Sequence, residues 1–155
     1  MTTALYSWLP VPEPPRDREP LIAFPDALSA GLRILRRSTF PEAAAATYGT
    51  ESPDVLGEDF PGGPYVSLTL LDSETSLHPY RETAVVQVTA WDETAAKALR
   101  LVQVARAVLV AHPGDELVAS VTANNRRGPV QATDPDTRQR LAFCTVALRL
   151  LPLLL

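Results

Sequence analysis

Few residues in this chain are of types that do chemistry. Its 155 residues include two histidines and one cysteine. His78 stands near Asp72 and Glu74, a grouping from which a metal site or a general base can be imagined. All three share one polar segment, with no second cluster to complete a site, so a solvated loop is the simpler reading. His112 precedes Pro113 at the end of a helical stretch, where the helix dipole favours a cation. Cys144 falls on the apolar face of an alternating run; a thiol buried there, without a neighbouring base, is inert. Pro61-Gly62-Gly63-Pro64 is glycine-rich but lacks a following Lys-Ser/Thr. It also leads into a strand, and its prolines withhold backbone donors, so it does not read as a phosphate loop. Arg126 and Arg127 are adjacent bases without interleaved aromatics, a weak nucleic-acid signal. A solvated turn is the plainer account of them, and a protein contact the next. Arg106 borders an apolar helical arc, where it either snorkels or pairs with an acid of another chain. The sequence thus predicts no cofactor, no metal and no catalysis; a small metal-dependent enzyme using His78 is the weaker alternative.

The elements that would position these residues follow from periodicity. Asp26 is placed to cap a short helix in which Leu28, Leu32 and Leu35 recur on one face. It ends near Arg36 and Arg37, and Ala43 to Ala46 adds a turn. Residues 49–63 read as an irregular acidic loop. From Pro64 the period becomes two, with Val66, Leu68 and Leu70 on one face, and the strand ends at Asp72. A polar connection from Asp72 to Glu82 leads to a second strand, Thr83 to Trp91, in which Val86, Val88 and Ala90 share a face. Asp92 then caps the longest helix, Glu93 to about Ala111, stopped by Pro113 and Gly114. Its apolar arc covers more than half the circumference. One sheet covers one stripe of a helix, so a second cover is needed, either the first helix or another subunit. Further strands are expected at Leu117 to Thr122, Val130 to Thr133 and Arg140 to Leu151. The predicted fold is α+β: an antiparallel sheet of about four strands with the long helix packed across it, preceded by a short helix.

Composition narrows the function classes. At 46% hydrophobic and 21% charged residues the chain can build a core. No apolar run approaches the roughly 18 residues of a membrane helix, no signal peptide is evident, and one cysteine excludes an internal disulfide. Thirteen of the 14 basic residues are arginine, and alanine and proline abound, which points to a GC-rich genome such as an actinobacterium or a virus growing in one. Residues 1–25 hold six prolines and read as an extended arm beside a single domain over 26–155. Apolar groups in that arm, Trp8, Leu9, Ile22 and Phe24 among them, suggest that it lies on a neighbouring surface. The net charge of −4 hides an asymmetry. Residues 51–93 carry nine acids and only Arg81; residues 94–155 carry four acids and eight bases. Unlike surfaces of this kind suit contact within a chain or between copies. There is no basic surplus for sequence-independent DNA binding.

Taken in order, several small signatures carry a family likeness. They are the short helix Asp26 to Arg37, Tyr48-Gly49 in a loop, and a strand opening Pro64-Tyr65-Val66. A valine-rich strand then ends at Trp91-Asp92 and runs into an alanine-rich helix; a Gly128-Pro129 turn and a closing strand begun by Arg140 follow. Over roughly residues 26–150 the chain resembles the tail terminator proteins of long-tailed, non-contractile bacteriophages. The proline-rich arm and the leucine-rich end, Leu150 to Leu155, depart from that pattern.

The resemblance implies a structural virion protein of the tail and neck, assembled in the host cytoplasm, without cofactor, chemistry or membrane. It implies a ring of six copies that caps the tail tube, ends its polymerisation and presents a joining surface to the head-side connector. A head–tail connector or stopper protein is the alternative within the same particle. On this reading the partners are further copies, the tube protein and the connector, while DNA passes through unbound. Trp8, Leu9, Ile22, Phe24, Arg106, Arg126 and Arg127 are the expected subunit or ring contacts. Leu77, Tyr80 and Arg81 are expected to meet the partner protein. Glu51, Asp54, Glu58 and Asp59 are expected to line the lumen, where carboxylates repel a duplex and arginines would hold it.

Overall fold

The computed structural model describes residues 22–59, 63–77, 80–123, 128–135 and 137–154. Trp8, Leu9, His78, Arg126 and Arg127 lie outside the described residues, as do the side chains of Asp54, Asp59 and Leu77. In chain order the elements are β1 (Ile22–Ala23), α1 (Ala27–Arg36), α2 (Pro41–Ala45), β2 (Thr47–Gly49), α3 (Pro53–Leu56) and a 3-10 turn over Gly57–Asp59. Then come β3 (Tyr65–Leu77), β4 (Tyr80–Trp91), α4 (Ala95–Val110), β5 (Val118–Ala123), β6 (Val130–Thr133), β7 (Arg140–Leu150) and β8 (Leu153–Leu154).

The fold is α+β, built on a mostly antiparallel six-stranded sheet in the order β2-β3-β4-β7-β5, with β6 also on β7. Alternation decides which face is covered. Ala84, Val86, Val88 and Ala90 of β4 and Ala142, Cys144, Val146, Leu148 and Leu150 of β7 are fully buried, and α1 and α4 contribute to the same core. These two strands are read correctly from period two because one face of each is packed.

Helix α1 begins where expected. The Asp26 carboxylate accepts a hydrogen bond from the Ser29 backbone N–H at 2.8 Å, which satisfies one orphan donor of the first turn. The start of α4 corrects the sequence reading. Thr94, not Asp92, is its N-cap, its hydroxyl accepting from Lys97 N–H at 3.1 Å; Asp92 instead accepts from Glu93 N–H at 2.7 Å. β4 stays paired through Trp91, opposite Tyr65 and Leu141, so the chain needs Asp92 and Glu93 to climb from the sheet onto its covered face.

Three more expectations are corrected. The sheet has six strands, not about four. The polar stretch Asp72 to Glu82 is not a connection: β3 continues to Leu77, pairing Asp72 with Val85 and Leu77 with Tyr80, with a bulge at Leu71. β2 falls where the sequence reads as loop, yet it pairs parallel with the start of β3, Tyr48 opposite Val66. The end of the arm and the leucine-rich tail also meet. Ile22 pairs with Leu154 and Ala23 with Leu153, and Phe24 packs against the chain's own core. Phe24 is thus partly covered by its own chain.

Candidate functional site

The two lateral margins of the sheet differ. On one side β2 covers only Tyr65 to Ser67, and among the described residues no strand pairs with the outer side of β3 from Leu68 to Leu77. Side chains from Thr69 to Ser76 are exposed on both faces, and Leu70 and Leu71 are 46% and 52% exposed. Asp72 and Glu74 stand on this margin. The hairpin formed with β4 overhangs the sheet: pairing of β4 with β7 ends at Glu82 opposite Leu150, so among the described strands Tyr80 and Arg81 pair with β3 alone. Tyr80 and Arg81, the expected partner contacts, are exposed there beside the backbone of Leu77.

The opposite margin is formed by β5 and β6 along β7. Arg138 and Arg140 are exposed there, and Arg149 is exposed on β7 beside β5. The connection holding Arg126 and Arg127 joins β5 to β6 and is outside the described residues. Asp72 and Glu74 thus stand on the β3 margin and Arg138 and Arg140 on the β6 side, although Asp92 and Glu93 of the acidic segment line the same depression as Arg138 and Arg140. Among the described residues the only ion pair between the acidic and basic segments is the local Glu93–Lys97 pair at 2.9 Å on the surface of α4.

The acidic loop is fastened at its start. The Tyr65 hydroxyl donates to the Glu51 carbonyl at 2.8 Å, and its ring lies 5.7 Å from that of Trp91. A Cβ at Gly49 would collide with that hydroxyl. Tyr48-Gly49 and Pro64-Tyr65-Val66 are therefore one construction: a side chain crosses a glycine to hold the loop. Glu51 and Glu58 are exposed, and the backbone of Asp54 lies in α3.

Sequence reading missed a second anchor. Arg33 of α1 meets Asp115 at 2.6 Å and Glu116 at 3.6 Å, and His112 Nε2 lies 3.3 Å from the same Asp115 carboxylate. Burial pushes the Asp115 carboxyl up, but N–H donors from Val118 and Leu117 and the charges of Arg33 and His112 outweigh it and hold the carboxyl below its usual range. Gly114 makes this turn at φ +96°, where a Cβ would sit 2.7 Å from the Ala119 carbonyl oxygen. The contact joins residues 82 positions apart, which no local pattern announces.

The remaining candidates are simply placed. Cys144 is buried, and burial pushes its thiol up to about 11 although Arg106 pulls the other way; it is protonated at neutral pH. Arg106 itself is half-buried, with no carboxylate in ion-pair range among the described residues. No three metal-ligating side chains converge among the described residues. Along α4, α1 and α2 supply part of the second cover that its wide apolar arc needs. A shallow groove of about 340 Å³ remains over Val104, Ala107, Val108 and Ala111, with exposed Phe40 at its side.

No protein-family model matches the sequence, and no curated protein matches it.

Proposed function

We propose that this chain is a tail terminator: a structural virion protein whose copies close into a ring on the end of a phage tail tube. The observation that carries this reading is the segregation of charge. Asp72 and Glu74 on the β3 margin and Arg138 and Arg140 on the β6 side lie on opposite sides of one sheet, and among the described residues no ion pair joins the two groups. Two unlike patches on one subunit make a heterologous contact, and such contacts close into a ring when the rotation allows. Six copies are the number implied by the family likeness. The signatures behind that likeness also fall at structural joints: Tyr48-Gly49 with Tyr65 at the loop anchor, Trp91-Asp92 at the strand-to-helix turn, and Gly128-Pro129 ahead of β6.

In this reading the overhanging hairpin, with Tyr80 and Arg81, meets the head-side connector, an aromatic and an arginine being common interface anchors. The loop carrying Glu51, Asp54, Glu58 and Asp59 borders the lumen, so that DNA passes without adhering. Arg126 and Arg127 meet carboxylates at a subunit or ring boundary. No membrane or cofactor is involved. The test is genetic and visual. Phage lacking this protein are expected to make tails of uncontrolled length that do not join heads. Tails of normal length that fail to join heads would favour the stopper alternative instead, and normal virions would sink both.

A further inference from the structure

The open margin of β3 needs a cover. Among the described residues no strand pairs with the outer side of the ten residues Leu68 to Leu77, and Leu70 and Leu71 lie about half exposed there. An edge of this length is a template for another strand. The Leu71 bulge and the acids Asp72 and Glu74 discourage indiscriminate pairing, so an occupant must be specific.

The chain itself carries a suitable strand. Thr2-Thr3-Ala4-Leu5-Tyr6-Ser7-Trp8-Leu9 contains no proline, glycine or charge and is rich in residues that favour pleated backbone. Being neutral, it meets no repulsion at Asp72 and Glu74. Its eight residues suit an edge of ten. The segment between it and β1 holds Pro10, Pro12, Pro14, Pro15 and Pro20 and reads from sequence as an extended spacer. At about 3.1 Å per residue, residues 10–20 reach roughly 34 Å. The spacer starts from β1, which pairs with β8 three residues beyond the end of β7. The row Leu150–Glu82–Thr75 puts that end of the sheet only two strand spacings, about 10 Å, from the β3 margin. Fully extended, a spacer of that length is enough for residues 2–9 to reach an edge outside their own subunit.

We propose that residues 2–9 of one copy add as a strand to the open margin Leu68–Leu77 of a neighbouring copy. The proposal rests on the ring reading, for which it names the fastening between neighbours.

Disulfide trapping tests it in the full chain. With Cys144→Ser as background, Ser7→Cys is combined in turn with Thr69→Cys, Ser73→Cys and Thr75→Cys, and each protein is oxidised at high concentration and low salt. At least one combination should give a covalent ladder of multimers, and mixing a chain bearing only Ser7→Cys with one bearing only the matching β3 cysteine should give their heterodimer. Deleting residues 1–20, which leaves β1 in place, should raise the concentration needed for association about tenfold. Cross-links confined within one chain, a dimer formed by the β3 cysteine alone, or no cross-link at any position would each overturn the proposal. Light scattering on the same samples separates it from its premise. A six-subunit mass without cross-links removes the strand addition and leaves the ring; a monomer mass without cross-links removes both.

Discussion

β7 and β3 are both long strands of the sheet, yet they meet opposite fates. β7 is paired on both sides, with β4 on one and β6 and β5 on the other, and five of its eleven residues are fully buried. β3 is buried from Tyr65 to Leu68, then runs on as an edge with both faces in solvent. The backbone conformation is the same, and what differs is the work each strand does. β7 holds the fold together by removing apolar area from water. The distal part of β3 contributes little to that core and keeps an exposed, charged edge, which is the property of a surface that meets something else.

This difference is open to direct attack, and the largest effect is expected on β7. Leu148→Ala removes a fully buried side chain and should cost about 2–5 kcal/mol in chemical denaturation. Leu71→Ala on the exposed bulge should stay within about 0.5 kcal/mol. Equal losses at the two sites would erase the distinction.

Next in size is the anchor that ties α1 to the start of β5. Gly114→Ala forces a side chain against the Ala119 carbonyl at positive φ and should destabilise by about 1–3 kcal/mol. Asp115→Asn removes the charge facing Arg33 and His112. The folded state holds the Asp115 carboxyl below its ordinary value of 3.8, so its stabilisation is present above that pH and is lost as pH falls through the folded value. The variant should lower stability by about 1–3 kcal/mol at neutral pH and flatten the acid limb of the stability curve. An unchanged acid limb would contradict the assigned role.

The smallest effect on stability should accompany the largest on assembly. Tyr80→Ala with Arg81→Glu lies on the overhang, so melting should shift by no more than the equivalent of about 0.5 kcal/mol. Tails carrying it should nevertheless fail to join their partner. Joining at the normal rate would move the partner contact away from the hairpin tip.

The same contrast explains what was legible in the sequence. Val86, Val88 and Ala90, or Cys144, Val146 and Leu148, announce their strands because one face is packed and the alternation records it. Asp72 to Ser76 and Tyr80 to Glu82 are equally extended but bury almost nothing, so they carry no apolar period and read as a connection. β2 is three residues long and is held by contacts that no local period records, among them Tyr65 crossing Gly49 and Arg36 donating to the Tyr48 carbonyl. The α4 cap was misplaced by two residues because Asp92 and Thr94 are both competent caps, and the choice falls to how far β4 stays paired. Arg33 and Asp115 are too far apart in sequence for any local rule. The charge asymmetry, in contrast, was plain from residue counts, and the fold adds where the two signs lie.

The central claim is that these unlike margins bring copies of the chain together in a closed ring. Light scattering of the purified protein at high concentration, across a salt series, tests it most directly. The account predicts the mass of six 16.8 kDa subunits at low salt, falling as salt screens the acidic and basic margins. A strict monomer at high concentration and low salt would contradict it.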